Sequence, residues 1–151
     1  MMQVGWDRLR ASGDLVLGPS GGVGDEPGLA TAVLLSLFLD RRAEADDQVD
    51  GAGLFARRGW VGDALAIPGA APGDRIGSRL WLLAREKQQD ETLRLAEDYA
   101  REALDWLVGD GLAAEVAVAA AWIARGVMEL TVTVTPPAGD PQSLTYGLRT
   151  L

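Results

Sequence analysis

The residues in this chain whose types and spacing can do chemistry are carboxylates and arginines. Asp40-Arg41-Arg42 is followed closely by Asp46 and Asp47, and Arg57-Arg58 runs directly into Gly59-Trp60. Clustered carboxylates hold hard cations, and arginines grip a carboxylate or phosphate through a two-pronged fork. Glu97 with Glu102, or Asp105 with Asp110, are the pairs to weigh for glycoside hydrolysis, which places two carboxyl groups across the scissile bond. Each cluster also has a plainer reading. The arginines beside Asp40 neutralise its acidic neighbours, so a salt-bridge network at a structural or docking surface explains them better than a metal site. Glu97 and Glu102 fall out of alignment on a helix, and partners one turn away account for both.

The chain has no histidine and no cysteine. That removes imidazole bases, thiol nucleophiles and the usual transition-metal ligands together. A Ser-Lys dyad would have to use Lys87, the only lysine, which the pattern places at a solvated helix end. The glycine-rich segment at 20–28 resembles a phosphate cradle only superficially. It lacks the terminal Gly-Lys-Ser/Thr, and Asp25 and Glu26 would repel an anion. These residues predict a protein without catalytic residues, cofactor or bound metal, which works by contact.

With 151 residues, 48% hydrophobic and 24% charged, the chain can bury a core of its own as one domain. A net charge of -8 argues against a nucleic-acid backbone as partner. The apolar run at 29–39 follows Asp25 and Glu26 rather than a positive segment, which is unlike a secretory signal. It is also shorter than the roughly 20 residues that cross a bilayer. The expectation is a soluble protein assembled inside a cell, away from membranes.

The supporting elements follow from periodicity. Residues 14–17 read as a short lead-in strand ending at Gly18-Pro19, and 20–28 as a flexible linker. A helix is predicted from 29 to about 42, apolar on nearly every side and therefore central, with Pro27 in its first turn and Arg41 and Arg42 in its last. The Arg/Gly/Trp loop comes next. Its glycines flank Trp60-Val61, and Trp60 beside arginine has the composition of an interface anchor. Ser78 is placed to cap a short helix through Arg79 and Trp81. A longer helix opens at Asp90 and ends near Val108, burying Leu93, Ala96, Ala100, Ala103, Leu104 and Leu107, before Gly109-Asp110-Gly111 stops it. The period then changes to two. Val116-Val118-Ala120, Met128-Leu130-Val132-Val134 and Leu144-Tyr146-Leu148 alternate as three strands. The predicted class is α+β, an apolar helix and a long second helix packed on a C-terminal antiparallel sheet of about three to four strands.

The order of these motifs carries a resemblance. Thr31-Ala32-Val33, Ser36 to Ala43 (SLFLDRRA), Arg58 to Asp63 (RGWVGD), Gly77 to Leu83 (GSRLWLL), and Ala103-Leu104-Asp105-Trp106-Leu107 with Asp110-Gly111 resemble the Mu-like phage baseplate protein family. Val61 stands where many members have a second tryptophan. In layout the family is similar to the small wedge and sheath-initiator protein of T4-type baseplates. The resemblance implies a single wedge domain over 1–151, with a lead-in at 1–28, a helical part at 29–108 and a sheet at 112–151. It implies a subunit of a contractile phage tail, prophage or tail-like particle, present in about six copies per baseplate. Its partners would be larger wedge subunits, the tail sheath protein and tube or hub proteins, with a sheet edge open to a partner's strand. The residues expected at its interfaces are Asp40, Arg41, Arg42, Arg57, Arg58, Trp60, Asp63, Arg79 and Trp81. The alternative is a muralytic, lysozyme-like baseplate enzyme using one of the carboxylate pairs above.

Overall fold

The computed structural model describes residues 4–7, 12–15, 28–51, 55–60, 63 and 75–150. In order these form β1 (Val4–Asp7), β2 (Ser12–Leu15), α1 (Leu29–Phe38), a 3₁₀ segment (Leu80–Arg85), α2 (Asp90–Gly109), β3 (Glu115–Ala124), β4 (Val127–Thr135) and β5 (Gln142–Arg149). The fold is α+β, with the helices laid against a three-stranded antiparallel sheet of order β3-β4-β5. Among the described residues, no helix is long and apolar enough to cross a membrane.

Alternation sets the sheet. On β4, Met128, Leu130, Val132 and Val134 are fully buried, and the residues between them face the other way. Register keeps like faces together: Leu130 lies opposite Ala120 on β3 and Tyr146 on β5. A bulge between Trp122 and Ala124 bends the end of β3 before the turn at Gly126. The helix α2 covers this sheet with Ala96, Ala100, Leu104 and Leu107. Small alanines at its centre let the helix backbone approach the strands closely. On its other face Glu97 pairs with Arg101 at 2.9 Å and also accepts the Ala120 backbone N–H at 3.0 Å, which occupies part of the β3 edge. The helix ends as its glycines predict, with Gly111 at φ +72° and the N–H groups of Leu112 and Ala113 returning to the Leu107 carbonyl.

Two readings of the N-terminal half are corrected. The described lead-in strand is Ser12–Leu15, which starts two residues before the expected 14–17, whose last two residues lie outside the described ones; it pairs with β1, a strand the sequence did not suggest. Trp6 on β1 stacks on Phe38 at 4.0 Å and meets Tyr146 edge-on at 6.1 Å, fastening the hairpin to both α1 and the sheet. The linker expected at 20–28, with Pro27, lies outside the described residues apart from Gly28. Helix α1 is shorter than predicted, ending at Phe38 instead of near Arg42. Leu39 is already extended, and Asp40 makes a parallel β-bridge with Ser78. Arg41 and Arg42 therefore lie beyond the helix and do not complement its dipole. Val33, Leu34 and Leu37 are buried, so the prediction that α1 is central holds.

Candidate interaction surface

The surface is built on the place where the chain leaving α1 meets the chain entering the 3₁₀ segment. Arg41 N–H donates to the Ser78 carbonyl and Ser78 N–H donates to the Leu39 carbonyl, both at 2.9 Å. The Ser78 hydroxyl donates to the Leu37 carbonyl and accepts the Leu80 N–H at 3.2 Å. Ser78 thus satisfies the end of one helix and the start of the next, close to the capping role its position suggested. Gly77 makes this crossing possible. It sits at φ +93°, and a Cβ there would lie 2.3 Å from the Leu39 carbonyl oxygen.

Above this crossing the arginines are arranged in tiers. Trp81 donates its indole N–H to the Arg41 carbonyl at 2.8 Å, and the Arg58 guanidinium lies over the indole ring at 4.4 Å while pairing with Asp40 at 2.9 Å. Arg79 reaches both Asp47 oxygens at 3.0 Å and Glu102 at 3.0 Å, and covers the Tyr99 ring at 4.5 Å. Glu102 also receives Arg41 at 3.4 Å. Burial opposes the Arg79 charge, yet the hydrogen bonds to Asp47 and Glu102 outweigh it and leave its pKa raised. Burial pushes the Tyr99 phenol up as well, and the negative charge of Asp47 adds to that push.

Arginines also hold the acidic loop at 44–50 to the body. Arg57 donates to the carbonyls of Glu44 and Ala45, Arg75 pairs with Glu44 at 2.8 Å, and Arg85 pairs with Asp50 at 2.9 Å. Asp47 closes the loop on itself by accepting the Glu44 N–H at 2.7 Å. The Arg/Gly/Trp loop packs alongside. Ala43 N–H donates to the Arg57 carbonyl, and Gly59, at φ +100°, lies so close to Arg42 that a Cβ would fall 2.7 Å from the Arg42 Cβ. Trp60 is 50% exposed and Phe55 86% exposed. Asp63 N–H returns to the Trp60 carbonyl at 3.1 Å, and Asp63 keeps one buried carboxylate oxygen without a partner.

The residues singled out from sequence are therefore gathered into one region. Asp40, Arg41, Arg42, Arg57, Arg58, Arg79 and Trp81 interlock around the crossing, with Trp60 and Asp63 on the adjoining turn. Asp47 was grouped with Asp40 from sequence, whereas Glu44, Asp50 and Glu102 were not singled out as part of this surface, although they pair with Arg75, Arg85 and Arg79. For those three the sequence signal was acidity alone, because the partners are far apart: the pairing of Arg79 with Asp47 and Glu102 spans 32 and 23 positions. Among the described residues, no group of three acidic side chains is arranged to hold a metal ion. Glu97 and Glu102, weighed above as a hydrolytic pair, are both engaged by arginines. A cavity of about 260 Å³ lies beside the crossing, walled chiefly by apolar residues such as Trp6, Phe38, Leu80, Trp81 and Leu148. Its charged lining residues are Asp40, already paired with Arg58, and Arg149.

Fold and surface together define a small α+β protein whose charged side chains are used on one another to build an aromatic-edged surface. The chain belongs to the family described as phage protein GP46, whose model matches residues 29–141, and so to the Mu-like phage baseplate proteins. It is 44% identical over 114 residues to the baseplate protein gp46 of Escherichia phage Mu, covering 74% of this chain and 72% of that protein. It is 38% identical over 134 residues to the Mu-like prophage FluMu protein gp46 of Haemophilus influenzae, covering 89% of this chain and 87% of that protein. The family match begins with α1 and takes in the whole of the arginine surface.

Proposed function

We propose that this chain is a structural component of a contractile-tail baseplate, a wedge subunit that docks to larger wedge proteins through the crossing and the Arg/Gly/Trp loop. The observation that carries this reading is the convergence of Asp40, Arg42, Arg58 and Trp60 beside an aromatic turn, in a chain similar to the Mu baseplate protein. Exposed tryptophan with arginine is the composition of a binding hot spot. The sheet provides a second contact. Glu97 occupies part of the β3 edge, while no described strand pairs with the outer side of β5. A strand of the sheath protein added to β5 would make this chain the seat of the first sheath ring. One copy per wedge, about six per baseplate, is what the resemblance to baseplate wedge proteins implies.

The test is assembly itself. Tails purified from a producing host should contain the chain, and the chain should co-purify with a larger wedge protein. Trp60→Ala should fold normally and leave tails without sheath or baseplate by electron microscopy. Intact, contracting tails carrying Trp60→Ala would refute the docking assignment. The muralytic alternative predicts clearing of purified cell wall by the isolated chain, and absence of clearing at high protein concentration removes it.

A further inference from the structure

On the surface just described, the cations are matched by carboxylates with one exposed exception. Arg41, Arg58, Arg75, Arg79 and Arg85 each lie within 3.4 Å of an acidic oxygen. Arg57 has no acidic partner among the described residues, but it is turned inward onto backbone carbonyls. Arg42 is exposed, and among the described residues its one hydrogen bond is from Nη1 to the Arg58 carbonyl at 3.3 Å. In a chain of net charge -8, an exposed guanidinium without its own carboxylate is conspicuous. Acidic neighbours are close in sequence, yet Asp40 is taken by Arg58 and Glu44 by Arg75.

Arg42 is also held in place. Gly59 packs against its stem so closely that no side chain would fit there, and the Arg58 carbonyl holds one end of the fork. A guanidinium fixed in this way loses little conformational freedom when it binds, and its remaining donors match a carboxylate in geometry. The turn that supplies Gly59 also carries the exposed rings of Phe55 and Trp60. We propose that Arg42 is the socket for an aspartate or glutamate of a neighbouring baseplate protein, on a segment whose flanking apolar residues lie against Phe55 and Trp60. The partner segment is acidic and apolar, not basic as the overall charge of this chain would suggest. A polyanion such as nucleic acid does not fit, because the carboxylates around Arg42 would repel its repeated charges.

This inference rests on the baseplate reading, and the experiment separates the two. Native tails and the free chain are treated with an arginine-selective dicarbonyl, and modification of Arg42 is read by mass spectrometry. The expected result is an Arg42 that reacts in the free chain and is protected in the tail. A second measurement reads the partner's chemistry. The chain is assembled into tails as the double variant Arg42→Lys, Lys87→Arg, so that the only lysine amine stands at position 42. Zero-length carbodiimide coupling should then join position 42 to an aspartate or glutamate of another tail protein. If the chain is absent from purified tails, the baseplate reading itself fails. If it is present but Arg42 reacts equally in tail and free chain, or position 42 couples only to carboxylates of its own chain, the socket alone is overturned.

Discussion

Arg79 joins three segments that are distant in sequence: the acidic loop through Asp47, its own 3₁₀ segment, and α2 through Glu102 and Tyr99. The guanidinium and the Asp47 carboxylate are 18% and 10% exposed, so water screens this contact less than it does the surface pairs. Arg79→Ala removes charge-assisted bonds and leaves Asp47 short of a partner. The expected cost is about 2–3 kcal/mol in chemical denaturation. Arg94→Ala, on an open pair with Glu91 at 3.6 Å, should cost well under 1 kcal/mol in the same assay. Tyr99 provides a pH test. Its phenol titrates higher when folded than unfolded, so the folded state holds the proton more tightly. The corresponding stability is present below the ordinary phenol value near pH 10 and is lost as pH rises from there toward the folded value. Tyr99→Phe should therefore flatten the alkaline limb of the stability profile, and an unchanged limb would show that the phenol does not contribute.

At the scale of elements, α2 and the sheet were readable because their side chains repeat. Residues 90–108 keep one apolar face through five turns, and β4 alternates without a break, so local pattern and final packing agree. Leu104 is completely buried under that agreement, and Leu104→Ala should cost roughly 2–5 kcal/mol in thermal or denaturant unfolding. The parts that misled are those where a distant partner decides. Arg41 and Arg42 are good helix formers, and only the bridge from Asp40 to Ser78 takes them out of α1. β1 is four residues long with a single large side chain, too short to show a period. Gly77→Ala tests the bridge directly. With φ at +93° and a carbonyl in the way, it should lower stability by roughly 2–3 kcal/mol and speed amide exchange at Arg41.

Across the whole molecule, apolar burial and charge pairing are divided between two regions. The sheet and helices are sealed by Leu37, Leu104, Leu107 and the β4 side chains, whereas the loop at 44–50 is held largely by arginines. At about 1 M salt the Debye length falls to about 3 Å. Amide exchange in 44–50 should then accelerate while β4 stays protected; equal protection at high and low salt would mean that the clamps are not what orders the loop. This division also explains what sequence could say about the surface. The arginines were visible by type, but which carboxylate each one meets depends on a fold that brings Arg58 to Asp40 and Arg85 to Asp50 from far along the chain. The Ser78 hydroxyl contact spans 41 positions, so the crossing forms only after a loop of that span has closed, at an entropic cost that local helices do not carry. A newly made chain that has folded its helices but not this crossing has neither the elbow at Asp40 nor a platform for Trp60. On the docking proposed above, such a chain would have nothing to offer a growing particle. Under that proposal the crossing would act as an inspection step, one that passes only copies whose long-range closure is complete.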